Sequence, residues 1–122
     1  MYEKVIEKND DVFWAWYNIG NSYRSMNEGV RALEMYREAM NRRPNFLSAY
    51  KNSAVIYIEL MEYDRAINIM DEFIEKYPND IDALFHTAAI YHQDGNLIKA
   101  EEYIRKVLNV DPDNELAKEL LK

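Results

Sequence analysis

Pro44, Pro78 and Pro112 stand 34 residues apart, and they are the only prolines in the chain. Tyr23, Tyr57 and Tyr91 keep that spacing, as do Ala32, Ala66 and Ala100; Ala15, Ala49, Ala83 and Ala117 extend it to a fourth copy. A fixed period of this length means stacked supersecondary units, each burying its apolar face only against its neighbours. The register divides the chain into units at 13–46, 47–80 and 81–114. Residues 115–122 align with the start of a further unit and are expected to cap the stack, and residues 1–12 align with the end of a preceding one. With three Gly and three Pro in 122 residues, the chain has too few turn formers for an all-β fold and suits helices joined by short links.

Each unit reads as two helices. Trp16, Ile19, Gly20 and Tyr23 fall at i, i+3, i+4 and i+7, one face of a helix. Ala32, Leu33, Tyr36, Ala39 and Met40 do the same for a second helix. Asn27-Glu28-Gly29 reads as the turn between them, and Gly95-Asn96 as its counterpart in the last unit. Each proline lies a few residues past a second helix, where it interrupts no ladder. Gly20, Ala54 and Ala88 are small where the first helix must approach the second, and Ala32, Ala66 and Ala100 are small on the facing side. Two positions depart from the scheme. Phe73 fills a place between units that is usually small. Met61 replaces a residue able to take positive φ, so an altered turn is expected there.

The pattern resembles the tetratricopeptide repeat over nearly the whole chain. That family runs Trp, Leu-Gly, Tyr, Ala, an aromatic, Ala, Pro. The first unit matches with Trp16, Ile19-Gly20, Tyr23, Ala32, Tyr36, Ala39 and Pro44. The second supplies Tyr50, Ser53-Ala54, Tyr57, Ala66, Met70, Phe73 and Pro78, and the third Leu84, Thr87-Ala88, Tyr91, Ala100, Ile104, Val107 and Pro112. The resemblance implies an all-α, right-handed α-solenoid of antiparallel helix pairs that binds a peptide or protein segment in a concave groove lined by first helices. Carried over by register, the groove residues are Trp14, Tyr17, Asn18, Asn21 and Arg24; Ser48, Lys51, Asn52, Val55 and Ile58; and Asp82, Phe85, His86, Ala89 and His92. The repeated tyrosines are expected to be structural. One subset of the family grips the C-terminal carboxylates of chaperones with two Lys, two Asn and an Arg. Here the matching positions hold Tyr17, Asn21, Asn52, Asp82 and His86, so both amides are present and all three cations are missing. A receptor for such tails is therefore not expected.

Composition narrows the function classes. Fifteen Lys and Arg against 22 Asp and Glu leave a net charge of -7, which disfavours nucleic-acid backbones. The imbalance is one-sided: residues 1–61 are neutral and residues 62–122 carry all of it, with Asp64, Asp71, Glu72 and Glu75 along one helix. That helix reads as a solvated outer face, or as a dock for a basic segment of a partner. No stretch is long and apolar enough for membrane insertion. With no Cys, there is no disulfide framework, thiolate metal site or cysteine nucleophile. Asp82 and His86 could meet one helical turn apart, but two ligands do not make a zinc site, and a solvent-facing pair is expected. No catalytic constellation, metal site or cofactor is expected, and the chain is read as a non-enzyme. Self-association is the alternative role, through apolar ends at Tyr2, Val5 and Ile6; a regulatory segment of a larger enzyme is another. Leu116, Ala117, Leu120 and Leu121 are expected to cover the last pair, with lysines outward. The unpaired first segment suggests a piece of a longer solenoid, and the cytoplasm is the expected compartment.

Overall fold

A computed structural model of the chain describes residues 9–122. Among them run seven helices and no strands: α1 (Asn9–Ser25), α2 (Gly29–Arg42), α3 (Leu47–Glu59), α4 (Tyr63–Lys76), α5 (Ile81–Gln93), α6 (Leu97–Val110) and α7 (Glu115–Leu120). Successive helices pack in antiparallel pairs, α1 with α2, α3 with α4 and α5 with α6. Each pair also packs on the next, and α3 touches α5. Helix α1 includes Asn9, ahead of Phe13; Tyr2, Val5 and Ile6 lie outside the described residues.

The turns inside the three pairs are built alike. The second residue after each first helix takes the left-handed conformation: Asn27 (φ 61°), Met61 (φ 60°) and Gly95 (φ 84°). Its N–H donates to Arg24, Ile58 or His92, and the next N–H donates to the carbonyl of Tyr23, Tyr57 or Tyr91 at 2.9, 2.8 and 2.9 Å. These paired bonds satisfy carbonyls that the helix end leaves open, as in a Schellman motif. Two expectations are corrected here. Met61 does not alter the turn; it adopts the left-handed backbone itself. Gly29 is not the turn residue but the first residue of α2, and a Cβ on it would sit 3.2 Å from Cγ2 of Ile56.

The second helices end just before the prolines. Arg43, Tyr77 and Asp111 each donate an N–H back to Ala39, Phe73 or Val107, at 2.9, 2.9 and 2.8 Å. The helices that follow start differently. Asp80 and Asn114 cap α5 and α7 by accepting from the N–H of Ala83 and Ala117, at 3.0 and 2.9 Å, whereas Phe46 gives α3 no side-chain cap.

The small residues lie where the pairs cross. Ala32, Ala54 and Ala66 have no more than traces of exposed surface, and Ala88 and Ala100 are buried. At Gly20 a Cβ would lie 2.7 Å from Cε1 of Tyr36, so only glycine admits that buried ring. Phe73 is buried and sits 5.1 Å from Tyr50, edge to face. The repeated tyrosines pack half-buried against the core, as expected. Ile19 departs from its expected core face and is exposed. Its register mates Ser53 and Thr87 are buried.

Second helices are tied side by side by polar bonds. Arg37 of α2 donates to both carboxylate oxygens of Glu72 on α4, at 2.8 and 3.0 Å. This bond is what holds the Glu72 carboxyl below its ordinary range. Tyr103 of α6 donates to Asp71 of α4 at 3.3 Å. Burial raises the Asp71 carboxyl despite that bond, and burial next to Asp71 raises the Tyr103 phenol. The acidic face of α4 is thus not simply solvated: half of its four carboxylates bind the neighbouring pairs. No helix of the described residues is long and apolar enough to cross a membrane.

Candidate functional site

The first helices α1, α3 and α5 lie next to one another, and the register-predicted residues are distributed along them. The α1 end of this row is aromatic. Trp14, 52% exposed, packs edge-on to Phe46 at 5.2 Å and to Tyr17 at 6.1 Å. Tyr17 is half-buried, 4.8 Å from Phe46 and 5.8 Å from the buried Tyr36. Tyr17 therefore serves the core as well as the surface. Asn18 is exposed, and Arg24 reaches Glu59 at 3.7 Å.

Between α1 and α3 the two asparagines are engaged with each other. Asn52 Nδ2 donates to Asn21 Oδ1 at 3.1 Å and to the Tyr17 hydroxyl at 3.0 Å. The Tyr36 hydroxyl donates to the same Asn21 oxygen, which satisfies the polar end of a ring that is otherwise wholly buried. Burial raises the Tyr36 phenol, so it stays protonated and remains a donor. The network uses both N–H groups of Asn52. It leaves Asn21 Nδ2 and Asn52 Oδ1 as the amide atoms that a ligand could engage.

From α3 onward the face opens into a cavity of about 970 Å³. Lys51 borders it on α3, and Asp82, Phe85, His86, Ala89 and His92 line it on α5. The structure thus brings these six predicted residues together around one space. Ser48, Val55 and Ile58 are half-buried on α3 and lie outside that lining. Asp82 is exposed but His86 is not, which corrects the expectation of a solvent-facing pair. His86 Nε2 is buried with no hydrogen-bond partner. Burial, and secondarily the Lys51 charge, push the imidazole below its ordinary value, so it is neutral near pH 7.

The far wall of the cavity was not anticipated. It comes from Leu97, Ala100 and Ile104 of α6 and from Leu116, Leu120 and Leu121 at the C-terminal helix. Leu116 and Leu120 were expected to cover the last pair, yet they are 55% and 56% exposed; Ala117 and Leu121 do the covering. The register held the signal, since Leu116 and Leu120 stand 34 residues after Asp82 and His86. Among the described residues no group of three or more His, Asp or Glu could hold a metal ion.

Known proteins share this architecture. The N-terminal domain of stress-induced protein-1 from C. elegans superposes with a TM-score of 0.73 at 21% identity, over 93% of this chain and 98% of that one. The first such domain of Spaghetti (RPAP3), solved with the HSP90 peptide SRMEEVD, gives 0.68 at 20% identity over 89% of each chain. MamA gives 0.68 at 23% identity over 82% of this chain, which spans only 55% of MamA. No curated protein matches the chain. Sequence models described as the tetratricopeptide repeat match residues 15–48 and 57–122. Together with the recurring Tyr-anchored turns and small crossings, those matches establish that the chain belongs to the tetratricopeptide repeat family.

Proposed function

We propose that the chain is a protein-interaction scaffold whose groove is the shared face of α1, α3 and α5. In this reading the units are 13–46, 47–80 and 81–114, with 115–122 as a cap and first helices facing the ligand. One observation carries it: Lys51, Asp82, Phe85, His86, Ala89 and His92, placed in the groove by register alone, border one cavity. An open, mostly apolar hollow with a few polar groups suits a polypeptide segment.

The similarity to the RPAP3 domain extends to fold and not to ligand. Its bound peptide ends in acidic residues. Here Tyr17, Asp82 and His86 occupy three of the matching positions; Asp82 repels a carboxylate, and neutral His86 offers it no charge. The two asparagines are held by Tyr17 and Tyr36. The ligand is therefore a segment with apolar anchors and not a free acidic C-terminus.

The test uses Ala89→Arg, which fills the cavity from an exposed position and leaves the core untouched. Proteins retained from host lysate by the parent chain and by the variant are compared by mass spectrometry, with circular dichroism as the check on folding. A protein held by the parent and lost by the folded variant is expected. Equal retention by both would remove the cavity as the site. An acidic peptide tail that binds the parent tightly and is lost on Asn21→Ala would refute the exclusion of carboxylate tails.

A further inference from the structure

The cavity bordered by α5, α6 and α7 is a surface that both earlier pairs keep covered. Over α1–α2 the cover is α3, whose Ile56 Cγ2 faces Gly29 at the start of α2. Over α3–α4 the cover is α5, whose Ile90 is buried in one cluster with Ala66 and Met70, and the half-buried Tyr63 that opens α4 packs against that cluster. Gly29, Tyr63 and Leu97 are register mates, as are Ile56 and Ile90. In register α7 is the next cover, but it spans 6 residues where α3 and α5 span 13. It stops short of the place that Ile56 and Ile90 hold.

Exposure marks the gap. Ala66 and Met70 have no exposed surface, whereas their mates Ala100 and Ile104 keep 8% and 7%, and Leu97 is 60% exposed. All three border the cavity, opposite Leu116 and Leu120. An apolar seat is thus left beside a finished helix pair, under a cap that fills only part of it.

The covers already in the stack show what fits such a seat: twice it is filled by a helix, not by an extended segment. They also show the side that faces inward. In α5, Thr87, Ala88 and Ile90 are buried and Tyr91 half-buried, while Ala89, His92 and Gln93 are exposed. Charge selects the outward side. Asp82 and Glu101 border the cavity, and so do Lys51 and Lys122, which leaves the lining itself balanced. The surrounding half, residues 62–122, carries -7, and exposed Asp94 ends α5 beside the seat. A field of that sign favours a basic helix.

We propose that the cavity seats an amphipathic helix of a partner protein, lying in line with α7, with its apolar side on Leu97, Ala100 and Ile104 and with Lys or Arg toward solvent. This seat lies within the groove read above and rests on that reading. It narrows the bound segment to a basic helix and brings α6 into a site that register assigned to first helices alone.

The probe is a labelled synthetic peptide, Thr-Ala-Lys-Ile-Tyr-Lys-Lys repeated twice, which copies Thr87–Gln93 with lysine at the three exposed places. Fluorescence anisotropy with the full chain is expected to show saturable binding, and circular dichroism a gain in helix on mixing. Leu97→Asp and Leu120→Asp change exposed positions and are each expected to weaken binding at least about tenfold, although the new carboxylate attracts the lysines. A peptide with proline in place of one isoleucine, and one with glutamate in place of every lysine, are expected to lose at least as much at low salt. No saturable binding, binding indifferent to both variants, or equal binding of the proline peptide would each overturn the proposal. So would self-association of the chain alone that Leu97→Asp abolishes in sedimentation velocity, which would give the seat to a second copy. A lysate protein lost on Ala89→Arg but still held by folded Leu97→Asp would leave the groove reading standing and overturn the helix seat.

Discussion

Gly20 and Tyr36 show how one atom sets the spacing of two helices. A methyl at Gly20 would meet the Tyr36 ring at 2.7–2.8 Å, and that ring is wholly buried. The later pairs solve the same crossing differently: Ala54 and Ala88 carry the methyl, and the matching partners are the narrower Met70 and Ile104. Gly20→Ala gains helix propensity of about 1 kcal/mol but overpacks the crossing by about 1–3 kcal/mol. A net loss is expected in thermal unfolding. A Gly20→Ala, Tyr36→Met double variant should be less destabilised than the two single changes added together; strict additivity would contradict the steric account. His86 sets a second prediction. Its folded-state value is depressed from 6.5, chiefly by burial, so its contribution to stability is complete above that value. The contribution is lost as pH falls through the folded value, because the unfolded chain takes up the proton first. Urea midpoints should drop between about pH 7.5 and about pH 5.5, and by less in His86→Leu. An identical drop in both proteins would clear His86 of the effect.

At the scale of elements, the stack is bonded more on its second-helix side than its acidic composition suggests. Arg37 and Glu72 form a two-bond pair between α2 and α4, but both side chains are more than two-fifths exposed. Solvent screens such a pair, so Arg37→Ala is expected to cost at most about 1 kcal/mol. Chemical denaturation with urea at low and high salt should show that loss shrinking as salt rises. A loss well above that, unaffected by salt, would mean that the arginine stem and not its charge joins the helices. The pairing itself could not be read from the sequence. The spacing of Asp64, Asp71, Glu72 and Glu75 shows a charged helix face, but Arg37 lies 35 residues before Glu72 and is brought to it only by stacking. The turns were more legible. Gly95 signalled its own, whereas Met61 gave the wrong signal because side-chain preference disfavours what the Schellman bonds impose.

For the whole molecule, stability is a sum over neighbours. The α3–α4 pair has a helix pair on either side, while α5–α6 has only short α7 beyond it. Amide hydrogen exchange should therefore be slowest in α3 and α4. Stronger protection across Leu97–Val110 than around Tyr57 would show that local stability, not position in the stack, governs opening.

Periodicity alone determined the helix pairs and their small crossings. Those features are local or repeat every 34 residues, so each copy reports on the others. Tertiary structure decided the rest. It tied Asn21 and Asn52 to Tyr17 and Tyr36, buried the His86 ring nitrogen, and turned Leu116 and Leu120 toward a cavity in place of the core. Each outcome depends on which side chains meet across two or three helices. A repeat pattern gives a residue's place on its own helix, and only the stacked structure gives the atoms opposite.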